Sequence, residues 1–139
     1  MKPVKISHVG IAVRDLEGAL ADYRALFDFE QIEITEVKSE GVRIAMLKVG
    51  ESEIELLSPI KSEGNGAERG PIEKFLQEKG EGVHHIAIKV ADVAEAISRA
   101  GQVGLKVLDK SPRSAANGAE AAFVHPKSMH GVLLEFYNR

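Results

Sequence analysis

Ser7-His8-Val9-Gly10-Ile11-Ala12-Val13 and His84-His85-Ile86-Ala87-Ile88-Lys89-Val90 are two copies of one motif. With His8 laid on His85, Val9 falls on Ile86, Gly10 on Ala87, Ile11 on Ile88 and Val13 on Val90. An acidic helix start follows each copy: Asp15-Leu16-Glu17 after the first and Asp92-Val93-Ala94-Glu95 after the second. Further along, Glu53-Ile54-Glu55-Leu56-Leu57 is mirrored by Leu133-Leu134-Glu135-Phe136-Tyr137. Glu55 lies 47 positions beyond His8, and Glu135 lies 50 beyond His85. Motifs this short match by chance, but the same order at near-equal spacing marks an internal duplication.

Each copy reads outward as a strand, a helix and further strands. Residues 4–13 alternate and are β-branched, a strand signal. Asp15 is an N-cap, with Leu16, Ala19, Leu20, Tyr23 and Leu26-Phe27 at helical spacing behind it. Strands follow near 30–38, 42–49 and 53–57, broken by Ser39-Glu40-Gly41 and Gly50-Glu51. The second copy gives a strand over 83–90, a helix over 92–100, and strands near 105–108, 119–124 and 132–137. Between them, Ser62-Glu63-Gly64-Asn65-Gly66 and the short helical pattern Pro71-Ile72-Glu73-Lys74-Phe75-Leu76 make a connector. The expectation is one α+β domain over 1–139, built as two tandem βαβββ modules sharing a curved mixed sheet. Module one spans about 4–60, the connector about 61–82 and module two about 83–139.

Strand parity then sorts the side chains. Val9, Ile11 and Val13 point to the helix side of their strand, and His8 points the other way with Gly10 and Ala12. Ile86, Ile88 and Val90 likewise leave His85 opposite, beside Ala87. Glu55 opposes Ile54 and Leu56, and Glu135 opposes Leu134 and Phe136. All four polar residues therefore fall on the face away from the helices, the concave face of a curved sheet, with Gly10 and Ala87 leaving room above the histidines. A lone histidine on a strand is ordinarily a satisfied core or surface residue, and a lone edge glutamate is solvated. Four brought to one face by a repeat are a different matter, because buried carboxylates cost several kcal/mol unless paired or metal-bound. Two histidines and two carboxylates form a nitrogen/oxygen site suited to Co²⁺, Mn²⁺, Ni²⁺, Fe²⁺ or Zn²⁺. On an octahedral ion they would leave two adjacent positions for a bidentate substrate. His84 faces the opposite way and reads as structural; His125 and His130 flank a turn and read as exposed.

Composition narrows the function. The chain has no cysteine, which excludes disulfides and thiolate metal sites. Its net charge of −3 excludes the basic excess that nucleic-acid binding requires. The stretch MKPVKISHVGIAV is too short of apolar residues for a signal peptide or membrane span. A soluble cytoplasmic protein is expected.

The duplicated motif, together with Ile54-Glu55-Leu56-Leu57-Ser58-Pro59, Lys79-Gly80-Glu81-Gly82-Val83-His84-His85-Ile86-Ala87 and His125-Pro126-Lys127-Ser128 followed by Gly131-Val132-Leu133-Leu134-Glu135, resembles the vicinal-oxygen-chelate superfamily. Within it the chain is most similar to the methylmalonyl-CoA epimerases, over essentially its whole length. The first motif is generic to the superfamily; the last two are fairly specific to the epimerases. The resemblance implies metal ligands at His8, His85 and Glu135, with a fourth at Glu55, where some members carry glutamine. It implies a divalent ion, Co²⁺ foremost, an acyl-CoA substrate and a homodimer. The reaction implied is that of an isomerase: a proton leaves C2 of methylmalonyl-CoA and returns on the opposite face, through an enolate stabilised by the metal. Two bases are needed. Some members place a glutamate on the third strand, but here that strand reads Val42-Arg43-Ile44-Ala45-Met46-Leu47-Lys48, without an acid. Glu55 and Glu135 are then the candidate bases. Arg113, in the loop 109–118, and Lys127 with Ser128 are candidates to hold the coenzyme A phosphates.

Three other readings use the same scaffold. A glyoxalase-type isomerase, similar to lactoylglutathione lyase, would share the metal site. A ring-cleaving dioxygenase would keep only two histidines and one carboxylate on iron, and Glu55 would fill an oxygen position. A metal-free sequestering protein would need aromatic walls, and this chain has no Trp and only 5% aromatics.

Overall fold

The computed structural model describes residues 1–60 and 70–139; the glycine-rich run 62–66 lies outside the described residues. The alternating opening forms β1 (Lys5–Ala12), followed by α1 (Leu16–Leu26), β2 (Ile32–Val37), β3 (Val42–Val49) and β4 (Ser52–Pro59). Gly50 turns β3 into β4 with φ at +58°, a conformation glycine adopts without a Cβ clash. After the connector come α2 (Pro71–Lys79), β5 (Gly82–Lys89), α3 (Val93–Gln102), β6 (Arg113–Ser114), β7 (Glu120–Val124) and β8 (Leu134–Tyr137). Asp92 caps α3 by accepting the Glu95 N–H, whereas Asp15 begins α1 without a side-chain cap bond.

The described chain divides into a middle unit, Gly10–His84, and a terminal unit, Met1–Val9 with His85–Arg139. In the middle unit the strand order is β2-β3-β4-β1, and β2/β3 and β3/β4 are antiparallel. One face packs Val13, Ala45, Leu47 and Leu56 against Leu16 and Leu20 of α1. The other packs Ala12, Val42, Ile44, Met46 and Leu57 against Ile72 and Leu76 of α2. Each fully buried leucine or isoleucine contributes about 1.5–3 kcal/mol. Met46 pairs with Glu55 and Ile44 with Leu57, so α2 lies on the face that carries Glu55. The expectation that this face turns away from all helices is corrected by α2. Its Ile72 and Leu76, one turn apart, form an apolar stripe, and Val42, Ile44, Met46 and Leu57 offer it an apolar bed.

In the terminal unit the order is β1-β5-β8-β7-β6, with β5/β8 parallel and β8/β7 and β7/β6 antiparallel. Val93, Ala96 and Ala100 of α3 pack on Val90, Ala122, Val124 and Phe136. The opposite face gathers Ala87, Ala119, Ala121 and Tyr137. The strand expected near 105–108 is reduced to a single bridge, Val107 with Val124. The ladder stops because the next donor, the Phe123 N–H, goes to the Asp109 carboxylate at 2.8 Å. The edge strand is instead β6, inside the stretch 109–118 read as loop. Among the described residues no helix is long and apolar enough to cross a membrane.

Candidate active site

Val4 on the β1 side donates its N–H to the Lys89 carbonyl at the end of β5, which fixes these neighbouring strands in register. His8 and His85 project beside each other, both buried, their rings edge to face at 5.2 Å between centroids. Glu135 comes from β8, parallel to β5 and paired there through Ala87. His8 Nε2 lies 3.1 Å from His85 Nε2 and 3.1 Å from Glu135 Oε2, and His85 Nε2 lies 3.0 Å from the same oxygen. Three donor atoms thus close a nearly equilateral triangle.

Burial pushes the Glu135 carboxyl upward, but hydrogen bonds from His8 and His85, reinforced by their charge, outweigh it and hold the group down at about 2. Glu135 is therefore ionised at neutral pH. The size of the triangle tests its fitness for a metal. Donors bound at right angles by bonds of about 2.1 Å lie about 3.0 Å apart, whereas tetrahedral bonds of that length set them about 3.4 Å apart. The observed edges match one face of an octahedral shell. Buried Glu55 lies on β4 in the middle unit. The donor chemistry suits a divalent first-row ion.

Aromatic rings wedge the histidines in place. Tyr137, two residues beyond Glu135 on the same face of β8, meets His8 edge to face at 4.9 Å. Phe123, paired with Glu135 across β7 and β8, meets His85 at 5.8 Å. The Arg113 guanidinium lies over the Phe123 ring, 5.1 Å from its centroid. Asp109 locks it, accepting from Arg113 Nε at 2.8 Å while also holding the Phe123 N–H. Tyr137, Phe123 and Asp109 carry no motif of their own; only the register of β7 on β8 reveals the two rings.

The remaining candidates are placed as follows. The Lys127 N–H donates to His125 Nδ1 at 3.0 Å, and the Ser128 hydroxyl accepts from the Lys106 N–H at 2.9 Å. His125 thus closes its own turn, and His130 is exposed with φ at +56°. His84 packs against Phe75 of α2 at 5.0 Å, a structural contact.

Known proteins with the same build are close at hand. The sequence profile of the Glyoxalase/Bleomycin resistance protein/Dioxygenase superfamily matches residues 7–123. An ethylmalonyl-CoA/methylmalonyl-CoA epimerase of Cereibacter sphaeroides is 35% identical over 133 residues, covering 94% of this chain and 95% of that protein. A crystal structure of a hypothetical protein from Bacillus halodurans C-125 is 40% identical, with a TM-score of 0.88 over 97% of this chain and 94% of its own. A methylmalonyl-CoA epimerase in complex with methylmalonyl-CoA and NH4+ is 36% identical, with a TM-score of 0.88 over 99% and 95% of the two chains. With this breadth of match and the triangle of His8, His85 and Glu135, the chain belongs to the methylmalonyl-CoA epimerase family of the glyoxalase/bleomycin resistance protein/dioxygenase superfamily.

Proposed function

We propose that the protein is a metal-dependent methylmalonyl-CoA epimerase, which inverts C2 of its acyl-CoA substrate by removing and returning one proton. The observation that carries this reading is the donor triangle of His8, His85 and Glu135 in a chain of this family. These three and Glu55 would hold the ion, Co²⁺ foremost and Mn²⁺, Ni²⁺, Fe²⁺ or Zn²⁺ otherwise. When bound, it supplies a Lewis acid that polarises the thioester oxygen next to C2.

The side chains of the protein move the proton. Inversion requires one acid–base group for each face of C2. On β3 the residues sharing the face of Glu55 are Val42, Ile44 and Met46, buried and apolar, and the exposed Lys48, so that strand supplies no carboxylate. Glu55 and Glu135 take the two roles. Both contacts of Glu135 to the histidines are made by Oε2, which leaves Oε1 outside the triangle to carry a proton. Held near 2, this carboxyl releases a proton readily and takes one up reluctantly. Arg113, Lys127 and Ser128 are assigned to the coenzyme A end, Arg113 and Lys127 as cations for its phosphates.

The test is proton NMR of methylmalonyl-CoA in D₂O with Co²⁺-loaded protein. Exchange of the C2 proton together with epimerisation is expected, lost on chelation and in His85→Ala. Glu55→Gln is expected to slow it by about 10²–10⁴-fold. No exchange by metal-loaded protein would end the epimerase reading; Glu55→Gln at the parent rate would remove only Glu55 as a base.

A further inference from the structure

We infer that Asp109 is a positioning residue, which holds the Arg113 guanidinium in one plane over the Phe123 ring to meet the coenzyme A end of the substrate. Arg113 stands on β6 opposite Ala121, and Phe123, two residues further along β7, pairs with Glu135. Period-two alternation therefore puts Arg113, Phe123 and Glu135 on one face of the sheet, that of the donor triangle. An arginine at a sheet edge, its side chain 41% exposed, is ordinarily a loose cation with several rotors to fix. This one is held. Asp109 Oδ1 accepts from both Nε and Nη2, and the guanidinium lies 5.1 Å from the Phe123 centroid. Two bonds and a ring face set its plane.

The carboxylate is in turn anchored to the sheet. The Leu108 N–H donates to the Phe123 carbonyl, and the Phe123 N–H donates to Asp109 Oδ2, both at 2.8 Å. Asp109 thus takes the place of the next ladder acceptor, its side chain only 9% exposed, and just Lys110, Ser111 and Pro112 separate it from Arg113. Such a pair gives up charge for direction. A carboxylate beside the guanidinium weakens its pull on an anion, whereas a plane fixed in advance saves the ordering of a long side chain when the ligand binds. The burial of Asp109 and its bond to the main chain serve direction; a counter-ion alone would need neither. The role rests on the assignment of Arg113 to the coenzyme A end, but the geometry of the pair does not.

Propionyl-CoA, titrated by calorimetry, reads binding without epimerisation. In Asp109→Asn the amide oxygen still serves the Phe123 N–H, while the NH₂ cannot accept from Arg113. The lost charge by itself favours the phosphates, so weaker binding reports lost orientation. Asp109→Asn is expected to bind about 3- to 10-fold more weakly than the parent, the cost of ordering one long side chain. Arg113→Lys, which keeps the charge but not the plane, is expected to weaken binding as much as Arg113→Ala. In ¹H–¹⁵N spectra the parent is expected to show separate Nη signals for Arg113, its rotation about Cζ–Nε blocked, and Asp109→Asn a single averaged one. An Arg113→Lys protein at parent affinity overturns the inference. So does an Asp109→Asn protein that binds equally or more tightly, or a parent whose Nη signals are averaged. Arg113→Lys leaves the bond between Asp109 and Phe123 in place and carries the test if Asp109→Asn fails to fold. A parent that binds no propionyl-CoA while its Arg113 is rigid would instead end the acyl-CoA reading, and the role of Asp109 with it.

Discussion

Glu135 is pulled in opposite directions by its surroundings, burial raising its carboxyl and the His8 and His85 hydrogen bonds lowering it further, to about 2. A carboxyl held below its ordinary value stabilises the fold fully above that value, 4.5, and the contribution is lost as the pH falls toward 2. Metal-free Glu135→Gln is therefore expected to be less stable than the parent at neutral pH, with the gap closing between pH 4.5 and 2 in denaturant titrations. A gap constant across that range would mean that charge is not its cause. His8, His85, Glu55 and Glu135 were legible in the sequence because the duplication lines them up and period-two alternation sets their face. Tyr137 and Phe123 were not, since their contacts with the histidines are fixed by cross-strand register, which leaves no trace in residue type.

Among the elements, the segment joining α3 to β7 departs most from its pattern. Leu105 and Val107 alternate as a strand would, yet they serve the α3 cluster, and Asp109 diverts the ladder. That carboxylate holds the Phe123 N–H and Arg113 at once, and its loss leaves a main-chain donor and a guanidinium without their acceptor. Asp109→Ala is expected to destabilise the protein by about 1–3 kcal/mol in chemical denaturation. A change within about 0.5 kcal/mol, the range of ordinary surface substitutions, would reduce the pair to an incidental contact. The placement of α2 was equally hidden: its amphipathic stripe was plain in the sequence, but which sheet face receives it is decided by tertiary packing.

For the molecule as a whole, an ion that binds only the folded chain must raise its stability. At 100 times the dissociation constant, Co²⁺ is expected to add about 2.7 kcal/mol, or about 10 °C in Tm for a chain of this size, reversed by chelator. An unchanged Tm at millimolar Co²⁺ would count against a site that the folded protein completes. The division of the chain has a further effect, in time instead of energy. His8 and Glu135 are 127 positions apart, and the unit that unites them is made from both termini. Synthesis at about 5–20 residues per second leaves His8 waiting on the order of ten seconds for that carboxylate. The middle unit has all its residues on the nascent chain before then, so the donor triangle is completed after them. A ribosome that stalls late in the message would release a chain with its helix-covered middle complete and its chemistry missing.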